Sequence, residues 1–318
     1  MTTISESDYD SPWKEALERY FEAFMAFFFP QAHADIDWGR GYEFLDKELQ
    51  QVVREAETGR RLVDKLVKVW RTGGNEAWVL VHVEVQSQVD TDFAKRMYVY
   101  NYRLFDRYDR WVVSLAVLGD EQVEWRPEGY GYTLWGCQAG LRFPVVKLLD
   151  YEPRLEVLEE SRNPFAVIVM AHLKAQATRR DPEGRLQWKV RVVKGLYERG
   201  YQREDILELF RFVDWLLVLP DKLKSEFEDT LRYYEEETKM PYITSIERSG
   251  IRKGILQNAR EDVLDILETR FMEVPQSIAE VINKIEDPSI LKTLHKRAIL
   301  IGSPEEFEQV LSEYTEHT

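Results

Sequence analysis

Residues 62–86 read LVDKLVKVWRTGGNEAWVLVHVEVQ, and the alternation inside this stretch decides the fold. Side chains of an extended chain alternate between two faces. From Leu62 to Val69 one face therefore carries Leu62, Asp64, Leu66 and Lys68, and the other Val63, Lys65, Val67 and Val69. Arg71 to Glu76, with Gly73, Gly74 and Asn75, has the chemistry of a hairpin connection. In the run Ala77 to Gln86, Ala77, Val79, Val81, Val83 and Val85 form an apolar face, so Trp78, Leu80, His82, Glu84 and Gln86 share the other. Polarity grows toward the end of that second strand. The pattern predicts two neighbouring strands whose acids, Asp64 and Glu84, converge at one end of a sheet.

Working outward, Met97, Tyr100, Leu104 and Tyr108 give 93–108 a helical period, and Trp111 to Leu118 is an apolar strand closed by Gly119 and Asp120. Upstream, Asp10, Ser11 and Pro12 precede Trp13, Leu17, Tyr20, Phe21, Phe24 and Phe28, the spacing of an amphipathic helix that Pro30 ends. Residues 31–60 are mixed: Trp38, Gly39 and Gly41 suggest a loop, and Leu49 to Val53 reads equally as a short strand or a helix. Past 120, Pro127, Gly129, Gly131 and Gly136 interrupt a Tyr- and Trp-rich stretch of loops and short strands. Helices then dominate, near 164–178, 186–200, 203–219, 222–238, 259–272, 276–286, 289–301 and 304–314, with Pro241 to Gly254 as a hinge and Ser303 to Glu306 as a capping box. The expected fold is α/β, with a mixed sheet flanked by helices and an all-helical C-terminal region. Three domains follow: a core over 1–160, a helical extension over 161–240 and a C-terminal helical domain over 241–318.

Composition limits the function. The 318 residues are 44% hydrophobic and 13% aromatic, enough for a full core. No apolar run approaches the ~20 residues of a membrane helix. The polar, acidic start lacks the features of a secretory signal. A single cysteine, Cys137, excludes an intrachain disulfide and a cysteine-rich zinc site, so a reducing compartment, the cytoplasm, is expected. The net charge of −14 argues against a surface that is one continuous nucleic-acid footprint. Cations nevertheless cluster at Arg60, Arg61, Lys65, Lys68 and Arg71, and again at Lys95, Arg96, Arg103, Arg107 and Arg110. These read either as a local basic groove or as solvated faces; in the first case Lys65, Lys68 and Arg96 are the candidate nucleic-acid contacts.

Two carboxylates at one end of a sheet suit a hard divalent cation such as Mg²⁺, with Mn²⁺ as substitute, because Mg²⁺ takes one or two protein carboxylates, waters and substrate phosphate. Gln86, on the face of Glu84, has an amide that orients a water or a phosphate oxygen but is no base near neutral pH. By residue type alone, an acid followed by Glu-x-Gln on a strand also reads as a solvent-facing edge. His82 shares the Glu84 face and is an auxiliary candidate, though a lone histidine there is commonly a packed neighbour. Tyr98, Tyr100 and Tyr102 suit base stacking or a helix core. Neither a GxxxxGKS phosphate loop nor a GxSxG elbow occurs.

Asp64, the strand ending His82-Val83-Glu84-Val85-Gln86-Ser87, and Arg96-Met97 with Tyr100 on the next helix together resemble the recombination-promoting nuclease and transposase-like family of bacteria, within the PD-(D/E)XK nuclease superfamily. The opening Asp10-Ser11-Pro12-Trp13-Lys14-Glu15 and the closing Phe28-Phe29-Pro30 of the first helix resemble that family's N-terminus, and Ile266-Leu267-Glu268-Thr269-Arg270-Phe271 resembles the C-terminal domain of its cyanobacterial members. The resemblance implies a metal-dependent DNA endonuclease linked to recombination or mobile elements. Asp64, Glu84 and the backbone carbonyl of Val85 would be metal ligands and Glu15 an auxiliary acid. Gln86 stands where the superfamily more often has lysine, which removes a cation beside the scissile phosphate. The rival expectation is a nuclease-fold scaffold, weakly active or inactive, that binds nucleic acid or protein. In either case the C-terminal helices suit homo-oligomerisation.

Overall fold

The computed structural model describes residues 10–45, 47–49, 52, 63–74, 76–84, 90–238, 245–271, 274–285 and 287–315, with the backbone alone at 10–12, 63–64, 76, 80–84, 245–249, 251–253, 255, 269, 288–289, 313 and 315. They form two compact units, Tyr9–Thr230 and Leu231–Thr318.

The first unit is built on a five-stranded mixed sheet. Its strands are β1 (Glu43–Phe44), β2 (Val63–Trp70), β3 (Glu76–Glu84), β4 (Val112–Leu118) and β7 (Val145–Lys147), in the order β1-β2-β3-β4-β7. A separate hairpin, β5 (Gly129–Leu134) with β6 (Cys137–Arg142), lies between β4 and β7 in the chain. The helices of this unit are α1 (Asp10–Arg19), α2 (Phe21–Phe28), α3 (Pro30–Asp35), α4 (Phe93–Tyr108), α5 (Leu155–Glu160), α6 (Pro164–Ala177), α7 (Pro182–Glu198) and α8 (Arg203–Leu216); the division between the units falls within α9 (Asp221–Thr238).

β1 and β3 both pair antiparallel with β2, whereas β4 runs parallel to β3 and β7 parallel to β4. A tight connection joins β2 to β3: Gly74, at φ 84, takes the left-handed conformation, and its amide donates to Arg71 O at 2.8 Å. Parallel strands need a crossover, and α4 supplies it between β3 and β4.

Both faces of the sheet are covered. On one, Leu66 and Trp78 pack against Tyr100 and Leu104 of α4, while Ala116 and Leu118 pack against Phe93 and Met97. α4 therefore runs antiparallel to β4, its start beside the ends of β3 and β4. On the other face, α1 packs against β2, where Lys65 of β2 pairs with Glu18. Trp13 of α1 meets Phe28 of α2 and both Phe165 and His172 of α6 at ring distances of 5.9–6.2 Å. Every residue from Phe165 to Gln176 in α6 is buried, as expected of a helix apolar nearly all round.

The second unit is helical. α10 (Ser245–Phe271), α11 (Gln276–Ile282), α12 (Pro288–Leu300) and α13 (Pro304–Thr315) enclose a core that includes Val263, Leu267, Ile282, Leu291, Leu294, Phe307 and Leu311. At the start of α13, Ser303 Oγ accepts from the amide of Glu306 at 3.3 Å, while the Glu306 carboxylate accepts from Gly302 N at 2.6 Å rather than from Ser303.

Several expectations are corrected. The aromatic N-terminal helix is two helices, broken at Tyr20 (φ −128, ψ 37), whose hydroxyl donates to Asp205 of α8 at 3.1 Å. Pro30 opens α3, where the missing amide of an N1 proline is harmless. Residues 161–230 pack in the same unit as the sheet, not as a separate extension. The expected hinge is helical from Ser245 onward; 241–244 lie outside the described residues. The sequence pattern also missed β1 and β7, which at two and three residues are too short to display alternation.

Trp13 joins three helices at one point with no exposed surface. Trp13→Ala should cost ~3–5 kcal/mol of stability in urea unfolding, the usual range for deleting a buried aromatic; a loss below about 1 kcal/mol would contradict this placement.

Candidate active site

The register places the two expected acids. Asp64, second in β2, is paired with His82 of β3, and Glu84 ends β3 two residues further on. Residues directly opposite in an antiparallel pair share a face, as do residues two apart along a strand. Asp64, His82 and Glu84 are therefore on one face and at one end of the sheet. Asp64 and Glu84 are diagonal neighbours, a relation of roughly 7–8 Å in regular sheets. That face is the one covered by α4, because Leu66 and Trp78 belong to it. Val85 and Gln86, expected respectively as a carbonyl ligand and an orienting amide, lie outside the described residues.

The same row continues across the sheet: Glu84 is in register with Leu118, and Leu118 with Lys147. Two strand spacings of about 4.8 Å put the Lys147 backbone roughly 10 Å from that of Glu84. The Lys147 ammonium is sealed in a pair with Asp120, 2.6 Å from both carboxylate oxygens, and reaches Trp125 O at 3.2 Å. Burial pushes this lysine's pKa below its ordinary value, and the hydrogen bonds to Asp120 oppose the shift. Just before Asp120, Gly119 O accepts from His172 Nε2 at 2.9 Å and from the Gln176 amide, both on α6. Polar groups thus gather at the carboxyl ends of the parallel strands, where open α/β sheets bind their ligands. Sequence reasoning missed Asp120 and Lys147 as a pair. The available signal was a lysine ending the apolar run Val145-Val146 and an acid closing an apolar strand.

The other expected residues separate into distinct environments. Arg96, in the first turn of α4, is buried and bonded through Nη1 to Asp90 Oδ2 at 2.6 Å; Asp90 Oδ1 also accepts from Asp92 N at 2.9 Å. Arg96 therefore ties the entry of α4 in place. Lys65, expected to contact nucleic acid, is instead a fully buried partner of Glu18 on the opposite face, where the β2 alternation directs it. Lys68 shares the Asp64 face but stands four residues, roughly 13 Å, along β2 and pairs with Glu43 at 3.3 Å. Glu15 is engaged in a close ion pair with Arg211 of α8, on the α1 side of the sheet. Tyr100 is core, whereas Tyr98 and Tyr102 contact each other on the outside of α4.

Among the described residues no group of three or more His, Cys, Asp or Glu side chains has metal-holding geometry, and no helix is long and apolar enough to cross a membrane. Comparison of the chain with protein-family models, curated proteins and solved structures finds no match in any of the three.

Burial pushes the His172 pKa down from 6.5 to about 4, partly offset by the bond to Gly119 and reinforced by Arg179. The folded protein then holds a neutral imidazole where the unfolded chain binds a proton, so stability falls as pH drops from about 6.5 toward 4, by roughly 3 kcal/mol at most. His172→Gln, which keeps an N–H donor and does not titrate, should remove about one proton from the acid limb of urea stability against pH. An unchanged acid limb would mean that His172 is not held neutral.

Proposed function

We propose that this chain is a Mg²⁺-dependent endonuclease of the PD-(D/E)XK type that hydrolyses phosphodiester bonds in DNA. The observation that carries this is the β2–β3 register, which assigns Asp64 and Glu84 to one face at one end of the sheet. The order helix, strands, helix, strand around a mixed sheet agrees with the core that the sequence resemblance implies. The donor types also suit the cation: two carboxylates offer only hard oxygens, the Val85 carbonyl implied by the resemblance would add a third, and Mg²⁺ needs no more from protein.

Asp64, Glu84 and Val85 would hold the metal, which when bound supplies charge neutralisation at the phosphate and acidification of water. Gln86 orients the water or a phosphate oxygen through its amide and takes no proton. Arg96, through Asp90, fixes the entry of α4 beside the end of β3. A second reading, a nuclease-fold scaffold with little or no activity, is favoured by Gln86 at the position of the superfamily lysine and by the net charge of −14.

Asp64→Ala and Glu84→Ala should each lower Mg²⁺- or Mn²⁺-dependent plasmid cleavage by on the order of a hundredfold or more, the scale of one lost electrostatic contact to a transition state. Gln86→Ala should reduce cleavage less, and Gln86→Lys should preserve or raise it, with circular dichroism confirming the fold of each variant. Wild-type protein that cuts no DNA with either metal would leave the scaffold. Self-association through the second unit belongs to the same proposal: removing residues 231–318 should lower the mass found by light scattering by more than the deleted residues account for, and a strictly proportional drop would exclude it.

A further inference from the structure

α4 carries two stripes. Phe93, Met97, Tyr100 and Leu104 face the sheet and are buried. Lys95, Tyr98, Tyr102 and Phe105, again at spacings of three and four, lie on the outer side, where Tyr102 and Phe105 are exposed. The outer stripe extends at both ends: Phe105 meets the exposed Trp111 at 6.1 Å, and Tyr98 meets Tyr130 of β5 at 5.6 Å. The β5–β6 hairpin has Tyr130, Tyr132 and Leu134 on one face, all exposed, with Gly129 and Gly131 on the other. Its tip is Trp135, 97% exposed, at φ 51, followed by Gly136 at φ 82. Two-residue turns of this hand favour Asn or Gly, and a bulky residue with positive φ is uncommon and marks a constraint. The fold therefore holds a tryptophan fully in solvent in a conformation it disfavours.

The charge on α4 is opposite to that of the whole chain. Its exposed or half-exposed cations are Lys95, Arg103 and Arg107 and its one acid is Asp106, on a protein of net charge −14; Arg142, in register with Gly129, is on the face of the hairpin away from Tyr130 and Tyr132. Two groups of contacting rings, Tyr98 with Tyr102 and Tyr130, and Phe105 with Trp111, on a helix that also bears these cations suit an anionic chain that bears planar groups. An anionic membrane is less well matched: the tip, Leu134 to Cys137, has no Lys or Arg beside it, and the cations run along α4 instead.

We propose that the outer stripe of α4 and the β5–β6 hairpin form a stacking platform for unpaired nucleic-acid bases, with Trp135 at the tip as the leading ring and Lys95, Arg103 and Arg107 on the phosphates. This rests on the nuclease reading for its biological sense and names the form of substrate, a single-stranded region, that the nuclease would take. Stacking on exposed rings needs bases free of their partners, whereas a duplex hides the base faces inside its own stack.

The test uses the full-length protein in EDTA, where cleavage plays no part, and fluorescence anisotropy of a labelled oligothymidine of roughly 20 nucleotides against a duplex of the same length. The single strand should bind at least tenfold tighter. Trp135→Ala and Tyr132→Ala should each weaken it by ~5- to 150-fold, the range found for single base-stacking residues. Trp135→Phe should retain most of the affinity, and Lys95→Glu with Arg103→Glu should abolish it. Both aromatic side chains are exposed, so melting temperatures should stay unchanged. Equal affinity for duplex and single strand, no effect of Trp135→Ala, binding to phosphatidylserine vesicles in preference to the oligonucleotide, or no oligonucleotide binding at all would each overturn the platform. The two proposals fail separately: Asp64→Ala should leave this binding intact. Hairpin-dependent binding without any cleavage would sink the nuclease and keep the platform, and cleavage unaffected by the loss of Trp135 would do the reverse.

Discussion

The pairing of β2 with β3 is the constraint on which the rest of the first unit depends. Strand side chains have a period of two, so a slip of one residue would carry Asp64 to the α1 side of the sheet and bring Lys65 beneath α4. Leu66, buried against Tyr100 and Leu104, and Lys65, buried against Glu18, fix the alternation from opposite sides. Gly74 fixes it from the turn. Once that register is set, Glu84 must end beside the start of β2, and α4 must return across the same face to reach β4.

A second set of interactions holds the ends of the parallel strands. Gly119 O is bonded from His172 and Gln176, and the next residue, Asp120, is sealed against Lys147. A buried ion pair is not by itself a source of stability, since desolvating two charges is costly. Its geometric consequence is clearer: β4, β7 and the 119–125 connection are locked at the end of the sheet where Glu84 stands. His172 is held there as a neutral imidazole near neutral pH, because its burial disfavours the charged form. Thus the rigid floor of the candidate site comes from polar groups that only the three-dimensional structure brings together.

The sequence revealed the elements with strong periods and hid the short or interrupted ones. α4 has the same limits, 93–108, in the pattern and in the structure, and β2 and β4 differ by a single residue at their ends. β1 and β7 were invisible because two or three residues cannot display a period. The break at Tyr20 was hidden because the apolar spacing continues across it; a hydrogen bond to Asp205, 185 residues away, accompanies it. The facial assignment of Asp64 and Glu84 was legible from alternation alone, and the register agrees with it. What alternation could not tell was which charged residues are sealed. Lys65 is a strand cation like Lys68, yet the first is sealed beneath α1 against Glu18, whereas the second, opposite Glu43 of the short edge strand β1, is only partly covered.

The proposed nuclease requires Asp64 and Glu84 to act together on one cation. The most direct measurement is an anomalous difference map from crystals of the protein soaked in Mn²⁺. One strong peak is expected, coordinated by a carboxylate oxygen from Asp64 and one from Glu84, and lost in Asp64→Asn crystals grown in the same form. No peak there, or Mn²⁺ bound only to other acids with Asp64 and Glu84 apart, would contradict it.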